Sequence, residues 1–235
     1  MKVNTDYSLT GVRSGLTKNR RMSWGQSNTD TFYSNGIQNG YIREGVSNAW
    51  PSGIPMGPNS EVINFESSAP IANHISFRQG GQLIISVGSE IYINHEPFQF
   101  GLFNKRSGYI QFESDITMLC GTKTGFFASD GKRTWFFKKL PDGWFKFQQN
   151  MVDYASVVEG SLAIDHINLL DIGLEQPGIG YVWLTNRGIC LGTEDGNVVN
   201  LTKNKIKLPS LSGYGAGLIK EKTAIFIIPV FRSFV

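Results

Sequence analysis

The stretch Gln82-Leu-Ile-Ile-Ser-Val87, Gly88-Ser89, Glu90-Ile-Tyr-Ile93 decides the fold class. Two short runs of β-branched and aliphatic residues flank a two-residue Gly-Ser corner, the pattern of a tight β-hairpin. The same unit returns further on. Ile116-Thr-Met-Leu-Cys120 leads through Gly121-Thr-Lys-Thr-Gly125 into Phe126-Phe-Ala128, then through Asp130-Gly131 into Thr134-Trp-Phe-Phe137. Tyr181-Val-Trp-Leu184 passes Asn186-Arg-Gly188 to Ile189-Cys-Leu191, and Asp195-Gly196 to Val198-Val-Asn-Leu201. Gly217-Leu-Ile219 turns at Lys220-Glu-Lys222 into Thr223-Ala-Ile-Phe-Ile-Ile228. Runs this short, with a turn signal every ten residues or so, do not make long helices. The expectation is an all-β chain of propeller-like or repeated small antiparallel sheets, recurring every several tens of residues. A β-sandwich of unrelated hairpins fits the same runs. Six blades of about 40–45 residues would exceed 235 residues, so four small blades or an incomplete propeller closed by neighbours is expected. Met151-Val-Asp-Tyr-Ala-Ser-Val-Val-Glu-Gly-Ser-Leu-Ala-Ile164 has mixed periodicity, but Gly160 and its β-branched residues place it as strand around a turn.

Working outward toward the N-terminus, the texture changes near residue 75. Tyr33-Ser-Asn-Gly-Ile-Gln-Asn-Gly40 and Trp50-Pro-Ser-Gly-Ile-Pro-Met-Gly-Pro58 are rich in residues that fix turns and oppose helices. Trp24, Phe32, Tyr33, Tyr41 and Trp50 are interspersed, which is not a disordered composition. Residues 1–74 therefore read as an irregular extended N-terminal arm whose aromatics anchor it to a surface, and residues 75–235 as the β-repeat domain.

Composition limits the function classes. Charged residues make up 17% of the chain and aromatics 12%. The charged share is below the usual level of about 25% for a soluble domain, as in a protein whose surface is partly covered by partners. A polar, uncharged surface over an aromatic core accounts for the same figures. A net charge of +3 does not mark a nucleic-acid binder. Lys2, Arg13, Lys18, Arg20 and Arg21 form a basic N-terminal stretch with Asp6 as its single acid. Two cysteines, Cys120 and Cys190, lie in hydrophobic runs and read as buried thiols in a reducing compartment. The polar start of the chain is not a signal peptide, and Ala224-Ile-Phe-Ile-Ile-Pro-Val-Phe231 is too short for a helical membrane span. A soluble protein with no membrane span is expected.

No catalytic, cofactor-binding or metal site is expected. His74, His95 and His166 lack metal-ligand spacing to one another or to cysteine, and His95 with Glu96-Pro97 reads as a strand end. No phosphate-binding loop occurs; Gly213-Tyr-Gly-Ala-Gly217 reads as a flexible connector. Asp130-Gly131 and Asp195-Gly-Asn197 read as hairpin turns, lacking the further acids that calcium needs. Trp144, after the turn Leu140-Pro-Asp-Gly143, is a candidate platform for a sugar, whereas Trp135 and Trp183 sit in strand runs and read as core. Lys132, Arg133, Lys138, Lys139 and Lys146 cluster among aromatics, and Lys203, Lys205 and Lys207 alternate along what reads as one strand face. Such faces meet DNA electrostatically if they line a channel, and are otherwise solvated.

Several of these motifs together resemble a family of tailed-bacteriophage and prophage virion proteins with propeller-like repeats. They are Gly81-Gln-Leu-Ile-Ile-Ser-Val-Gly-Ser-Glu-Ile-Tyr92, Ile116-Thr-Met-Leu119, Gly125-Phe-Phe-Ala-Ser-Asp-Gly131, Thr134-Trp-Phe136, Val182-Trp-Leu-Thr-Asn-Arg-Gly-Ile-Cys-Leu-Gly192 and Gly196-Asn-Val-Val-Asn-Leu-Thr202, spanning about residues 75–220. The resemblance implies a ring-forming head-to-tail connector or tail protein, made in the host cytoplasm and carried in the virion. The partners it implies are copies of itself, neighbouring portal, adaptor or tail proteins, and non-specific DNA contact in a channel. It carries over no functional residue and implies no enzyme activity. A carbohydrate- or host-surface-binding β module of a phage tail is the alternative.

Overall fold

A computed structural model describes residues 2–3, 9–51, 69–78, 80–104, 108–139, 147–152, 155–156, 162–164, 180–185, 187–203, 214–220 and 224–230. Every regular element among them is a strand. A short pair, β1 (Lys2–Val3) and β2 (Leu9–Thr10), opens the chain. Four antiparallel meanders of four strands each follow. The first comprises β3 (Ser23–Ser27), β4 (Asp30–Ser34), β5 (Asn39–Arg43) and β6 (Val46–Asn48). The second comprises β7 (His74–Arg78), β8 (Gln82–Val87), β9 (Glu90–Ile93) and β10 (Tyr109–Gln111). The third comprises β11 (Met118–Gly121), β12 (Gly125–Ser129), β13 (Thr134–Lys139) and β14 (Phe147–Val152). The fourth comprises β15 (Leu162–Ile164), β16 (Gly180–Thr185), β17 (Gly188–Thr193) and β18 (Val198–Asn200). A hairpin of β19 (Tyr214–Lys220) and β20 (Ala224–Val230) ends the described chain. Sequential four-stranded meanders have the size and strand order of propeller blades. The chain is thus all-β and built of repeated small antiparallel sheets.

Two expectations need correction. Residues 23–48 form a full sheet, where an irregular arm was expected; residues 11–22 of that stretch do run without strands. The chain divides into two compact units, Met1–Gln111 and Phe112–Val235, not at residue 75. The cause lies in the turns. Asn28-Thr29 and Glu44-Gly45 are two-residue hairpin corners, closed by the pairs Ser27 with Asp30 and Arg43 with Val46. Asn28, Glu44 and Gly45 have φ of 53°, 51° and 81°, the left-handed geometry that tight hairpins demand. The Gly- and Asn-rich texture therefore marks corners between strands. Likewise residues 214–217, expected to belong to a flexible connector, lie in strand β19, which continues through the expected strand run Gly217-Leu-Ile219.

Within the first unit the second sheet packs on the first. Gly25 has no side chain where one would lie 2.7 Å from the Phe77 ring, so β3 and β7 approach closely. Phe32 then sits among four rings, with centroids 5.6 Å from Tyr41, 5.1 Å from Trp50, 5.3 Å from Phe77 and 5.0 Å from Phe100. Leu83, Ile85 and Phe103 complete this core. In the second unit the fourth sheet packs on the third through Phe127, 5.1 Å from Trp183 and 4.7 Å from Phe136. Met118, Cys120, Tyr181 and Cys190 close that core. Central strands β8, β12 and β16 are buried on both faces along nearly their whole length, which explains their continuous apolar runs.

The two units share a further device. A two-residue piece of the inter-sheet connection threads between the hairpin ends of both sheets. In the first unit the Ala72 carbonyl accepts from Ser34 Oγ (2.6 Å) and Gly36 N (3.0 Å), while Asn73 N donates to the Ser86 carbonyl (2.7 Å). In the second, Ser156 N donates to Ser129 Oγ (2.9 Å), and Ser156 bridges to Thr185 in antiparallel fashion. Ala72 and Ala155 are buried, as are Ser34, Ser86, Ser129 and Thr185 at the strand ends. The Ser34 and Ser129 hydroxyls, at equivalent corners, thus satisfy backbone groups of the connecting strap.

Candidate functional site

The residues singled out from the sequence do not gather into one site. His74 is buried on β7. His95 follows β9, its backbone N–H bonded to the Leu102 carbonyl and its ring 3.5 Å from Glu96. His166, Trp144, Lys146, Lys205 and Lys207 lie outside the described residues. Among the described residues no three His, Cys, Asp or Glu side chains come together as a metal site would require. No helix among them is long and apolar enough to cross a membrane.

The acidic turns take the roles expected of them. Asp130 Oδ1 accepts from the backbone N–H groups of Lys132 (2.9 Å) and Arg133 (3.0 Å), which caps the β12–β13 corner. The turn around Asp195-Gly196 is closed by Gly196 N donating to the Thr193 carbonyl (3.1 Å). Cys120 and Cys190 are buried free thiols. Burial pushes the Cys190 thiol up to about 12, a bond with Thr185 acting in the opposite sense, so it is no nucleophile at neutral pH. Trp183 is fully buried, while Trp135 is half-buried with its ring 5.0 Å from Phe112. Lys132, Arg133 and Lys138 are exposed, Lys132 lying 3.5 Å from Glu113. Lys203 sits in a turn beyond β18, not on a strand with Lys205 and Lys207.

What the sequence reading missed is a surface of the first unit. Among the described residues, the large apolar side chains left exposed are Trp24, Ile37, Val46, Ile71, Phe98 and Tyr109. All six precede residue 112. Gly36 N bonds the Ala72 carbonyl, which brings the backbones of the flanking residues Ile37 and Ile71 to the same corner. They are 43% and 44% exposed. Asn35 Oδ1 holds that corner by accepting from Ile37 N (3.0 Å) and Gln38 N (2.7 Å), so the apolar pair stands on a fixed turn. At the equivalent corner of the second unit the exposed residues are Lys132 and Arg133. A fixed apolar pair on an otherwise polar corner has no role in its own core and suits contact with another surface. The signal was present in Asn35-Gly-Ile37 and Pro70-Ile71, but two residues 34 positions apart cannot be paired without the strap.

No family model matches the chain, and no curated protein matches it. Among solved structures, the chain is similar to Hsv2 of Kluyvelomyces marxianus, with 10% identity over 76% of this chain and 63% of that one, at a TM-score of 0.37. It is also similar to a protein of Lactobacillus plantarum, with 12% identity over 73% of this chain and 52% of that one, at a TM-score of 0.40. The chain spans less than two thirds of the length of either.

Proposed function

We propose that this chain is a structural component of a bacteriophage virion, a ring-forming head-to-tail connector or tail protein around the DNA channel, which works by contact and not by catalysis. The observation that carries the reading is the exposed Ile37–Ile71 pair on a hydrogen-bonded corner. Cross-subunit packing concentrates its energy in a few rigid, apolar anchors, and a side chain held by its own fold loses little entropy on docking. The motif resemblance across residues 75–220 supplies the biological setting, and the low charged fraction of 17% agrees with a surface that partners cover. In this reading the partners are further copies in a ring and neighbouring portal, adaptor or tail proteins. In the same reading the exposed Lys132, Arg133 and Lys138 meet DNA phosphates without reading sequence. The protein is made in the host cytoplasm and resides in the particle.

The test is the double substitution Ile37→Asp with Ile71→Asp in the full chain. The variant is expected to keep the wild-type melting temperature, since both side chains are exposed, yet to be missing from assembled particles by mass spectrometry. Particles carrying the variant at normal occupancy would sink the assembly reading.

A further inference from the structure

The second exposed feature of the first unit is a strip of the first sheet, on the face opposite Phe32. Side chains alternate along a strand, so Trp24 and Gln26 project from β3 on the face opposite Gly25. On β4 their direct partners are Tyr33 and Thr31, and the row continues to Ile42 on β5 and Ser47 on β6. Trp24 is 52% exposed, the only exposed tryptophan among the described residues. Its ring is braced by Tyr33, with centroids 5.7 Å apart and planes at 52°. Tyr33 is itself buried and fixed by a 2.8 Å hydrogen bond between its hydroxyl and Ser47 Oγ. The indole therefore stands on a rigid support with about half of its surface turned to solvent.

The groups beside it are uncharged and mostly polar. Gln26 is exposed; its Nε2 donates to the Asn28 carbonyl (3.3 Å), which leaves Oε1 as a free acceptor. Among the described residues neither the Thr31 hydroxyl nor the Trp24 indole N–H has a hydrogen-bond partner. The strip Trp24, Gln26, Thr31, Ile42, Ser47 holds no ionic side chain, because Arg43 and Asp30 pair with each other on the opposite face. A flat aromatic surface next to neutral donors and acceptors fits a ligand with one apolar face and a rim of hydroxyls.

We propose that the Trp24 strip is a binding site for a neutral hexopyranose unit of a glycan, stacked on the indole and hydrogen-bonded at its rim by Gln26 and Thr31. The site is independent of the Ile37–Ile71 corner and of the assembly reading. A pyranose ring presents axial C–H groups to the indole face and its equatorial hydroxyls to the amide oxygen and the threonine hydroxyl. Anionic glycans gain nothing extra here, since no cation lies in the strip.

The experiment titrates maltohexaose, cellohexaose and chitohexaose into the full ¹⁵N-labelled chain and follows the indole N–H signal of Trp24, assigned with Trp24→Phe, together with the backbone amide signals of β3 and β4, which report binding in the variants that lack Trp24. At least one of the three is expected to shift that signal saturably. Gln26→Ala, an exposed substitution that leaves the fold intact, is expected to weaken that binding severalfold, and Trp24→Ala to weaken it about tenfold or more. Trp24→Phe, which keeps an aromatic face, is expected to fall between them. The proposal is overturned if none of the three sugars moves the Trp24 signal, or if binding survives Gln26→Ala and Trp24→Ala unchanged.

Discussion

The first unit, Met1–Gln111, and the second, Phe112–Val235, solve the same packing problem with the same strap but different cores. In the first, one ring, Phe32, meets four others, Phe77 of the neighbouring sheet among them, with Leu83, Ile85 and Phe103 filling in around them. In the second, the central ring, Phe127, meets Phe136 of its own sheet and Trp183 of the fourth, and glycines of the fourth meander give these rings room. A side chain at Gly192 would meet both Trp183 (2.7 Å) and Phe127 (2.8 Å), and one at Gly196 would strike Phe136. Outside the cores the contrast reverses: the corner that carries isoleucines in the first unit carries Lys132 and Arg133 in the second. A repeated architecture thus keeps its hydrogen-bonded joints constant while surface chemistry and core shape diverge.

The largest expected effect is on the first core. Phe32→Ala removes a fully buried ring and leaves a cavity between two sheets, costing about 3–5 kcal/mol in denaturant unfolding. The two buried thiols, Cys120 and Cys190, both belong to the second unit and report its opening, because burial keeps the Cys190 thiol protonated at pH 8. If the units open separately, thiol labelling of Phe32→Ala in native buffer stays at the wild-type rate. Faster labelling would show that the units unfold as one. Gly196→Ala is the complementary break. Gly196 has φ of 89° and its missing Cβ is occupied by the Phe136 ring, so backbone strain and overpacking together cost roughly 2–5 kcal/mol. That variant is expected to label faster at both cysteines.

This contrast also explains what could be read from the chain. Gln82–Val87 and Glu90–Ile93 are legible because continuous apolar runs meet a glycine corner, and the observed strands end where those runs end. The sheet over residues 23–48 is built from Ser-Trp-Gly-Gln-Ser and Asn-Gly-Tyr-Ile-Arg, where glycines sit inside strands as contact points. There Gly25 is an interface residue against Phe77, so composition points to a loop while tertiary packing makes a strand. Glu44, with φ of 51°, hides a tight corner behind a residue not associated with one. The candidate surfaces were less legible still. Trp24 stood among the arm's aromatics, and no local pattern separates it from Phe32, which is buried; only the register of β3 on β4 assigns them to opposite faces. Trp144, the tryptophan picked from its turn, lies outside the described residues.

The shared strap gives a middle-sized test of whether the two joints are equivalent. Ser34→Ala removes the donor to the Ala72 carbonyl, which keeps its second bond from Gly36 N, so about 0.5–1.5 kcal/mol is expected. Ser129→Ala removes an acceptor from Ser156 N and a donor to the Arg133 carbonyl, inside a buried corner. Leaving a buried N–H without a partner costs more, about 1–3 kcal/mol. Equal losses in the two variants would mean that the straps are alike in energy as well as in path.

The smallest effect separates the units by pH. Asp30 accepts two bonds from Arg43, from Nε (2.8 Å) and Nη2 (2.6 Å), and these hold its carboxyl below its ordinary 3.8, with partial burial opposing them. A carboxyl held low in the folded state binds its proton later than the unfolded chain does as pH falls. Its contribution is therefore complete above the ordinary carboxylate value and is lost as pH drops through the lowered folded one. Arg43 is more than half exposed, so solvent screening keeps the contribution within the range of about 0–1 kcal/mol for surface pairs. Asp30→Asn is expected to lower first-unit stability slightly at pH 7 and to converge with the wild type as pH falls through the lowered folded-state value. The melting of the second unit, which this pair does not touch, should be the same in both proteins at every pH. A difference from the wild type that persists unchanged at the acid end of the titration would assign the role of Asp30 to packing at the β4–β5 edge and not to its charge.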